Sequence, residues 1–318
     1  MTAEPKKKIF LIVGPTASGK TAASIEVARA INAEIISADS IQVYKGLDIG
    51  SAKPSKEEMG GVPHHLIDFA DIDDTSFNVS VFRELALKKI GEIQSRGKNA
   101  LIVGGTGLYV NSLIFPLDFS KAEPDFERRA ELEEVEKASP GALHSMLGSI
   151  DPESAARLHP NDTKRIIRAI EIFEKTGETL SSHGGDFANT RGEQIGFEPI
   201  IAGITMDRSR LYERIEKRID LMMEAGLLDE VDSILEKGCD PELPALQGLG
   251  YKQLIMYRMG EISLDEAVEL IKRDTRRFAK RQISWFKRDK RIRWFSADEP
   301  ELSERIKDYF LKEINKGE

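Results

Sequence analysis

The chain has 318 residues, 40% hydrophobic and 31% charged, with a formal net charge of −8. That is enough for one large or two modest soluble domains with a real core. The single cysteine, Cys239, excludes a disulfide framework and a cysteine-based metal site, and it fits a reducing cytoplasm. No stretch approaches the ~20 apolar residues of a membrane span.

Lys6-Lys7-Lys8 precedes apolar residues as in a leader, but the apolar run, Ile9 to Val13, is too short for one. It reads instead as a strand entering Gly14-Pro15-Thr16-Ala17-Ser18-Gly19-Lys20-Thr21, with a helical run from Ala22 to Ile31 behind it. The spacing G-x-x-x-x-G-K-T is that of a phosphate-binding loop. Glycines let backbone N–H groups turn inward around phosphate oxygens, and the helix N-terminus adds partial positive charge. Lys20 is placed to reach the terminal phosphate, and the Thr21 hydroxyl to ligate Mg²⁺.

Ile35-Ile36 is a short strand ending in Asp39-Ser40. In a parallel sheet the carboxyl ends of strands line the ligand crevice, so Asp39 is expected on the phosphate-loop side. Three readings stay open at this point: an acid supporting Mg²⁺, a general base, or a carboxylate capping a turn. His64-His65 lacks metal-ligand spacing and reads as a structural loop. Phe77 to Arg96 is expected as an amphipathic helix with Val81, Leu85, Ile90 and Ile93 inward, ended by Gly97. Ala100 to Val103 is a strand running into Gly104-Gly105-Thr106-Gly107. A nucleotide hydrolase often has an acid at such a strand end. Glycines and a hydroxyl there favour close approach of backbone and Thr106 to a substrate.

From about Leu117 the texture becomes helical and charged. Helices are expected over 121–138, from Pro152 to His159-Pro160, and over 163–175 behind Asn161-Asp162 as cap. On the last, Lys164 and Arg168 share a face while Ile166, Ile167 and Ile170 pack. Ser181 to Gly196 reads as a linker. Residues 118–199 are therefore expected as a helical insertion into a core of 1–117 and 200–318. The sheet resumes at Ile200 to Ile204. Asp207 to Glu224 is a helix bearing Arg210, Arg214 and Arg218 in one stripe, a side chain suited to phosphate. Leu246 to Gln253 is a turn into another helix. From Lys272 to Arg293 eleven Lys/Arg stand against Asp274 and Asp289. Within it, Arg276 to Phe286 interleaves basic and aromatic residues, as nucleic-acid binding requires.

The motifs Gly14–Thr21, Ser37–Gly46, Pro63–Asp68, Gly104–Tyr109, His159–Asp162, Gly248–Tyr251 and Lys280–Gln282 occur together and in order. In this the chain resembles the bacterial tRNA dimethylallyltransferases, also called tRNA isopentenyltransferases, over essentially its whole length. The resemblance implies a P-loop NTPase-like parallel α/β sheet flanked by helices, with a mostly helical insertion gripping the anticodon stem-loop of tRNA. It implies transfer of a dimethylallyl group from dimethylallyl diphosphate to N6 of the adenine 3′ of the anticodon, by a cytoplasmic monomer. Carried onto this sequence, it makes Asp39 the general base, Lys20, Thr21 and Arg218 the holders of diphosphate with Mg²⁺, and Thr21 the metal ligand. It places tRNA at Asp39, Ser40, Ile41, Gln42 and Thr106, at Arg128 or its neighbour Arg129, and at Lys164, Arg165, Ile166, Ile167 and Arg168. Arg277, Lys280 and Arg281 are the expected contacts of the basic segment. The position after Thr106 is often bulkier in relatives than Gly107, so a looser wall is expected there. A small-molecule kinase and a non-catalytic RNA-binding GTPase-like protein are the alternatives. The basic segment and insertion weigh against the first, and the missing Asn-Lys-x-Asp motif against the second.

Overall fold

The apolar run behind the N-terminal lysines is the central strand of a parallel sheet in the computed structural model, which describes residues 7–115, 125–182 and 196–316. In chain order the elements are β1 (Lys7–Val13), α1 (Lys20–Ala30), β2 (Ala33–Ser37), α2 (Lys56–Met59), β3 (His64–His65), α3 (Val79–Ser95), β4 (Asn99–Gly104) and α4 (Gly107–Ile114). Four helices follow: α5 (Phe126–Ala138), α6 (Ala142–Ile150), α7 (Pro152–Arg157) and α8 (Thr163–Thr176). The chain then runs through β5 (Phe197–Thr205), α9 (Arg208–Glu224), α10 (Leu227–Glu236), α11 (Tyr251–Arg258), α12 (Leu264–Phe286), β6 (Arg293–Ser296) and α13 (Leu302–Asn315).

The chain divides into two compact units, 1–114 with 194–318, and 115–193. The edges of the two units lie a few residues before the expected 118 and 200. The strand after the insertion begins at Phe197, three residues before the expected Ile200. The expected linker falls mostly on 183–195, and the first residues of the helix expected over 121–138 on 121–124, both outside the described residues.

In the first unit the six strands lie in the order β3-β2-β4-β1-β5-β6, every pair parallel. Ile9 to Val13 are wholly buried, which explains an uninterrupted apolar run where a one-sided strand would alternate. Helices α1 and α13 close one face with Val27, Ile31, Ile306 and Phe310, the Phe10 and Phe310 rings 5.1 Å apart. On α3, Phe82, Ala86, Ile90 and Ile93 are buried. The expected Val81 and Leu85 lie only partly covered, so the inward face is rotated by one residue. The cause is Phe82, which stacks on Tyr109 of α4 at 4.1 Å.

His65 holds Glu34 rather than a metal. The Glu34 carboxylate, almost fully buried, also receives Arg96 at 2.7 Å and Lys98 at 3.0 Å. Burial alone would push this carboxyl up, but bonds from His65, Lys98 and Arg96 outweigh it and hold the group at about 2. The folded value lies below the unfolded one, so the stabilisation is present above about pH 4.5 and is lost as pH falls toward 2. Glu34→Gln is therefore expected to cost about 1–3 kcal/mol in urea unfolding at pH 7. The gap to the wild type should close in acid; equal midpoints at pH 7 would remove this role.

The second unit is a small helical bundle around Leu132, Leu143, Leu147, Ile166 and Ile170. Asp162 occupies the N-cap of α8, as its position suggests, but makes no side-chain cap bond there and instead lies 3.6 Å from Arg165. Buried Glu171 accepts from the Asp125 N–H, from both arms of Arg129, and from Arg168.

Candidate active site

The phosphate loop joins β1 to α1 at the carboxyl edge of the sheet. Gly14 has φ 153°, and a Cβ there would lie 2.6 Å from the Ile204 carbonyl of β5, so only glycine fits between the strands. Ala17 at φ 61° and Gly19 at φ 91° carry the left-handed turns that wrap the loop. Lys20 opens α1 and donates to the Pro15 carbonyl at 2.7 Å. The Ser18 hydroxyl is buried without a hydrogen-bond partner, the mark of a cradle that expects an acceptor.

Two guanidiniums from α9 meet this loop. Arg214 donates to the Ala17 carbonyl at 2.9 Å, and Arg218 lies 3.5 Å from the Thr16 hydroxyl. Arg210, the third member of the expected stripe, turns away to Asp298 at 2.8 Å. Burial lowers the Lys20 ammonium to about 8, with Asp39 opposing and Arg218 adding to the shift. Burial also lowers Arg218, with Asp39 again opposing and Arg214 adding. Two desolvated cations face one carboxylate, so a bound polyanion would relieve the strain on both charges.

Asp39 closes the turn after β2. One of its oxygens, Oδ1, accepts the N–H groups of Ile41 at 2.9 Å and Gln42 at 3.3 Å. The turn-capping reading is thus true of one carboxylate oxygen. Thr106 accepts the Ser40 N–H at 3.1 Å and donates its own N–H to the Ala38 carbonyl at 3.2 Å, tying the two strand ends together. Asp39, Ser40, Ile41, Thr106, Thr16, Arg218 and Arg281 line a cavity of about 380 Å³. Ile215, Ile219, Met222, Leu249 and Phe278 add apolar lining to it. A second cavity, about 690 Å³, is lined by Ser18, Gly19, Lys20, Thr21, Arg214 and Lys217. Ala17 and Arg218 belong to both walls.

Gln42, expected beside a flipped base, is absent from the cavity lining. Its amide donates to the Ser51 and Ala52 carbonyls and accepts the Ser37 hydroxyl. The looser wall expected at Gly107 is also corrected. The Trp285 side chain fills the space, and a Cβ on Gly107 would lie 2.3 Å from its ring.

Three supports hold the loops around the site, of which Glu230 is unmarked in the sequence. Glu230 accepts the N–H groups of Asp48, Ile49 and Gly50 and the Tyr251 hydroxyl, pinning the 48–50 turn that brings Gly50 to the cavity. Arg214 clamps Ala17. Gln282 accepts the Thr16 N–H at 2.9 Å and donates to the Gly105 carbonyl at 3.0 Å. The signal for Gln282 was its spacing with buried Ala279 and Phe286 on α12, which puts a polar residue on an inward face. No comparable signal marks Glu230.

On α12 Arg273, Arg277, Lys280 and Arg281 are exposed, as are Lys287 and Arg288 just beyond its end. Arg276 is spent on Glu216 at 2.6 Å. In the helical unit Lys164 and Arg165 are exposed, while Ile166 and Ile167 are buried in the bundle core. The side chains of the two isoleucines expected at the RNA supply the apolar face that holds α8 in place. Arg128 forms a two-armed pair with Glu174 and also reaches Glu131, whereas Arg129 is committed to buried Glu171. Both arginines are half-buried. Among the described residues no group of three or more His, Cys, Asp or Glu is placed to hold a metal. None of their helices is long and apolar enough to cross a membrane.

A parallel sheet whose first strand feeds a phosphate loop, with a helical bundle inserted before β5, defines a P-loop-type α/β protein. Residues 42–289 match the family model described as IPP transferase. The chain is 50% identical over 299 residues to a tRNA dimethylallyltransferase of Acetivibrio thermocellus, covering 94% of each. It matches the crystal structure of a full-length tRNA isopentenylpyrophosphate transferase from Bacillus halodurans at TM-score 0.72 and 40% identity, over 98% of both chains. It also matches a eukaryotic dimethylallyltransferase crystallised acting on tRNA, at TM-score 0.74 and 29% identity, over 92% of this chain and 74% of the other. The chain belongs to the IPP transferase family.

Proposed function

We propose that the protein transfers a dimethylallyl group from dimethylallyl diphosphate to tRNA, at N6 of the adenine 3′ of the anticodon. The observation that carries this is one cavity in which Thr16 and Ala17 of the phosphate loop, Arg218, the Asp39 carboxylate and the Thr106 turn meet. The N6 lone pair is delocalised into the ring, which makes it a poor nucleophile. As N6 attacks C1 of the donor, the C–N bond forms and the C–O bond to diphosphate breaks. The N6 proton passes to Asp39 as general base, which keeps positive charge from building on the nitrogen. Lys20, Arg218 and the loop N–H groups stabilise the charge that leaves with diphosphate. The adenine must leave its stack, at a cost of about a few kcal/mol, which phosphate contacts elsewhere offset.

The exposed Thr21 hydroxyl on the second cavity fits Mg²⁺, a hard ion that keeps several waters and shares substrate phosphate oxygens rather than needing a carboxylate cage. When bound there, Mg²⁺ supplies further neutralisation of diphosphate charge. The helical insertion, with Arg128, Lys164, Arg165 and Arg168, holds the anticodon stem, and Arg277, Lys280 and Arg281 track the RNA backbone. The protein works as a cytoplasmic monomer.

Labelled dimethylallyl diphosphate, ATP or GTP, each with and without unmodified tRNA, tests the reading. Label is expected on tRNA from the prenyl donor alone; transfer from ATP to a metabolite, with none to tRNA, would sink it. Neutralising Arg277, Lys280 and Arg281 together should weaken tRNA binding and flatten its salt dependence by about three charges' worth of slope. An unchanged slope places the RNA elsewhere.

A further inference from the structure

We propose that Gln282 is a positioning residue that sets the distance between the donor loop and the acceptor side of the site. This rests on the functional reading above. Gln282 stands on α12, in the middle of the basic stretch, yet it is only 6% exposed. Its two amide atoms are spent on two different loops. Oε1 accepts the N–H of Thr16, whose hydroxyl faces Arg218, and Nε2 donates to the Gly105 carbonyl. Pro15 has no N–H, so Thr16 carries the first amide proton after Gly14 in the phosphate loop. Gly105 is joined to Thr106, which holds Ser40 beside Asp39. One side chain therefore links the loop that grips the leaving group to the turn that carries the base.

The polarity of the link is fixed by its partners. Thr16 offers only a donor and Gly105 only an acceptor, so a carboxylate or a hydrocarbon cannot satisfy both. Gly105 shows how close that contact is. Its φ is not in the left-handed region, so the backbone does not demand glycine there. A Cβ at Gly105 would instead lie 2.2 Å from Gln282 Nε2 and 3.3 Å from the Gly14 carbonyl. A side chain at 105 would have to displace the Gln282 amide from its two partners.

Loss of this link should misplace donor against acceptor while leaving each substrate's own contacts in place. Misplacement by ~1 Å can cost about a hundredfold in rate. Gln282→Met, close in volume and without hydrogen bonds, should lower kcat by about 10–100-fold. KM for dimethylallyl diphosphate and for tRNA should stay within about threefold of wild type. Gly105→Ala, which pushes the same amide from the other side, should give the same split. A wild-type kcat in either folded variant, or a loss carried wholly by one KM, overturns the proposal. If Gln282→Met does not fold, as judged by circular dichroism melting, Gly105→Ala decides. Unfolding of both overturns it in favour of a plain packing role. A wild-type protein that moves no label to tRNA sinks the functional reading instead.

Discussion

Asp39→Ala is expected to lose about 10²–10⁴ in kcat, the usual contribution of a positioned general base. Affinity for tRNA should stay within about tenfold, because the missing group acts on the reacting nitrogen rather than on the RNA. Alanine also removes the acceptor for the Ile41 and Gln42 N–H groups, so it loosens the turn as well as deleting the base. Asp39→Asn separates the two effects. An amide oxygen can still accept those N–H groups, but it cannot take the proton. The asparagine variant should therefore be nearly as slow as the alanine variant, with a wild-type melting temperature. Near-normal turnover by Asp39→Asn would make Asp39 a turn anchor and leave the base elsewhere. A collapse of tRNA binding equal to the loss of rate would make it a recognition residue. Single-turnover transfer and filter binding on the three proteins decide between these.

The second large effect is expected at Lys20. Its ammonium donates to the Pro15 carbonyl with Arg218 near, and it stands at the first position of α1. Lys20→Met should lower kcat/KM for dimethylallyl diphosphate by about 10²–10³, the scale for removing one preorganised group from developing negative charge. The pH dependence carries its own sign. With the free-protein value lowered to about 8, the ammonium is charged below that pH and is progressively lost above it. The wild-type kcat/KM for the donor should fall on the alkaline side of pH 8. A bound diphosphate adds negative charge beside the ammonium and pulls its value back up, so kcat itself should hold to higher pH. In Lys20→Met the alkaline limb near pH 8 should vanish. A variant that keeps that limb shows that another group titrates.

What could be read from the sequence was whatever one short stretch encodes. The phosphate loop announces itself because glycines, lysine and threonine must stand at fixed offsets along the backbone. Asp39 and Thr106 were legible because both sit at strand ends, and parallel topology sends strand ends to one edge. The contacts of the supports were not legible, because their partners are distant in the chain. Gln282 reaches Thr16 across 266 residues and Gly105 across 177, and Glu230 reaches Gly50 across 180. Periodicity placed Arg210, Arg214 and Arg218 on one stripe, but only the fold shows that Asp298 diverts Arg210. On α3 it chose Val81 over Phe82, because stacking on Tyr109 decides which turn faces inward. The glycine at 107 looked like missing bulk until Trp285 was found occupying the space.

The sheet also bears on how the protein behaves at high concentration. Its flanking strands are β3, of two residues, and β6, of four. An edge strand exposes a row of unpaired N–H and C=O groups on which another chain can add itself, and short edges offer few such groups. His65, bonded through its ring to Glu34, anchors one of these stubs to its neighbour. The longer strands are all interior in the strand order, with β1 and β4 each flanked by two long neighbours. The molecule thus keeps a six-stranded sheet with an apolar centre while ending it in short edges.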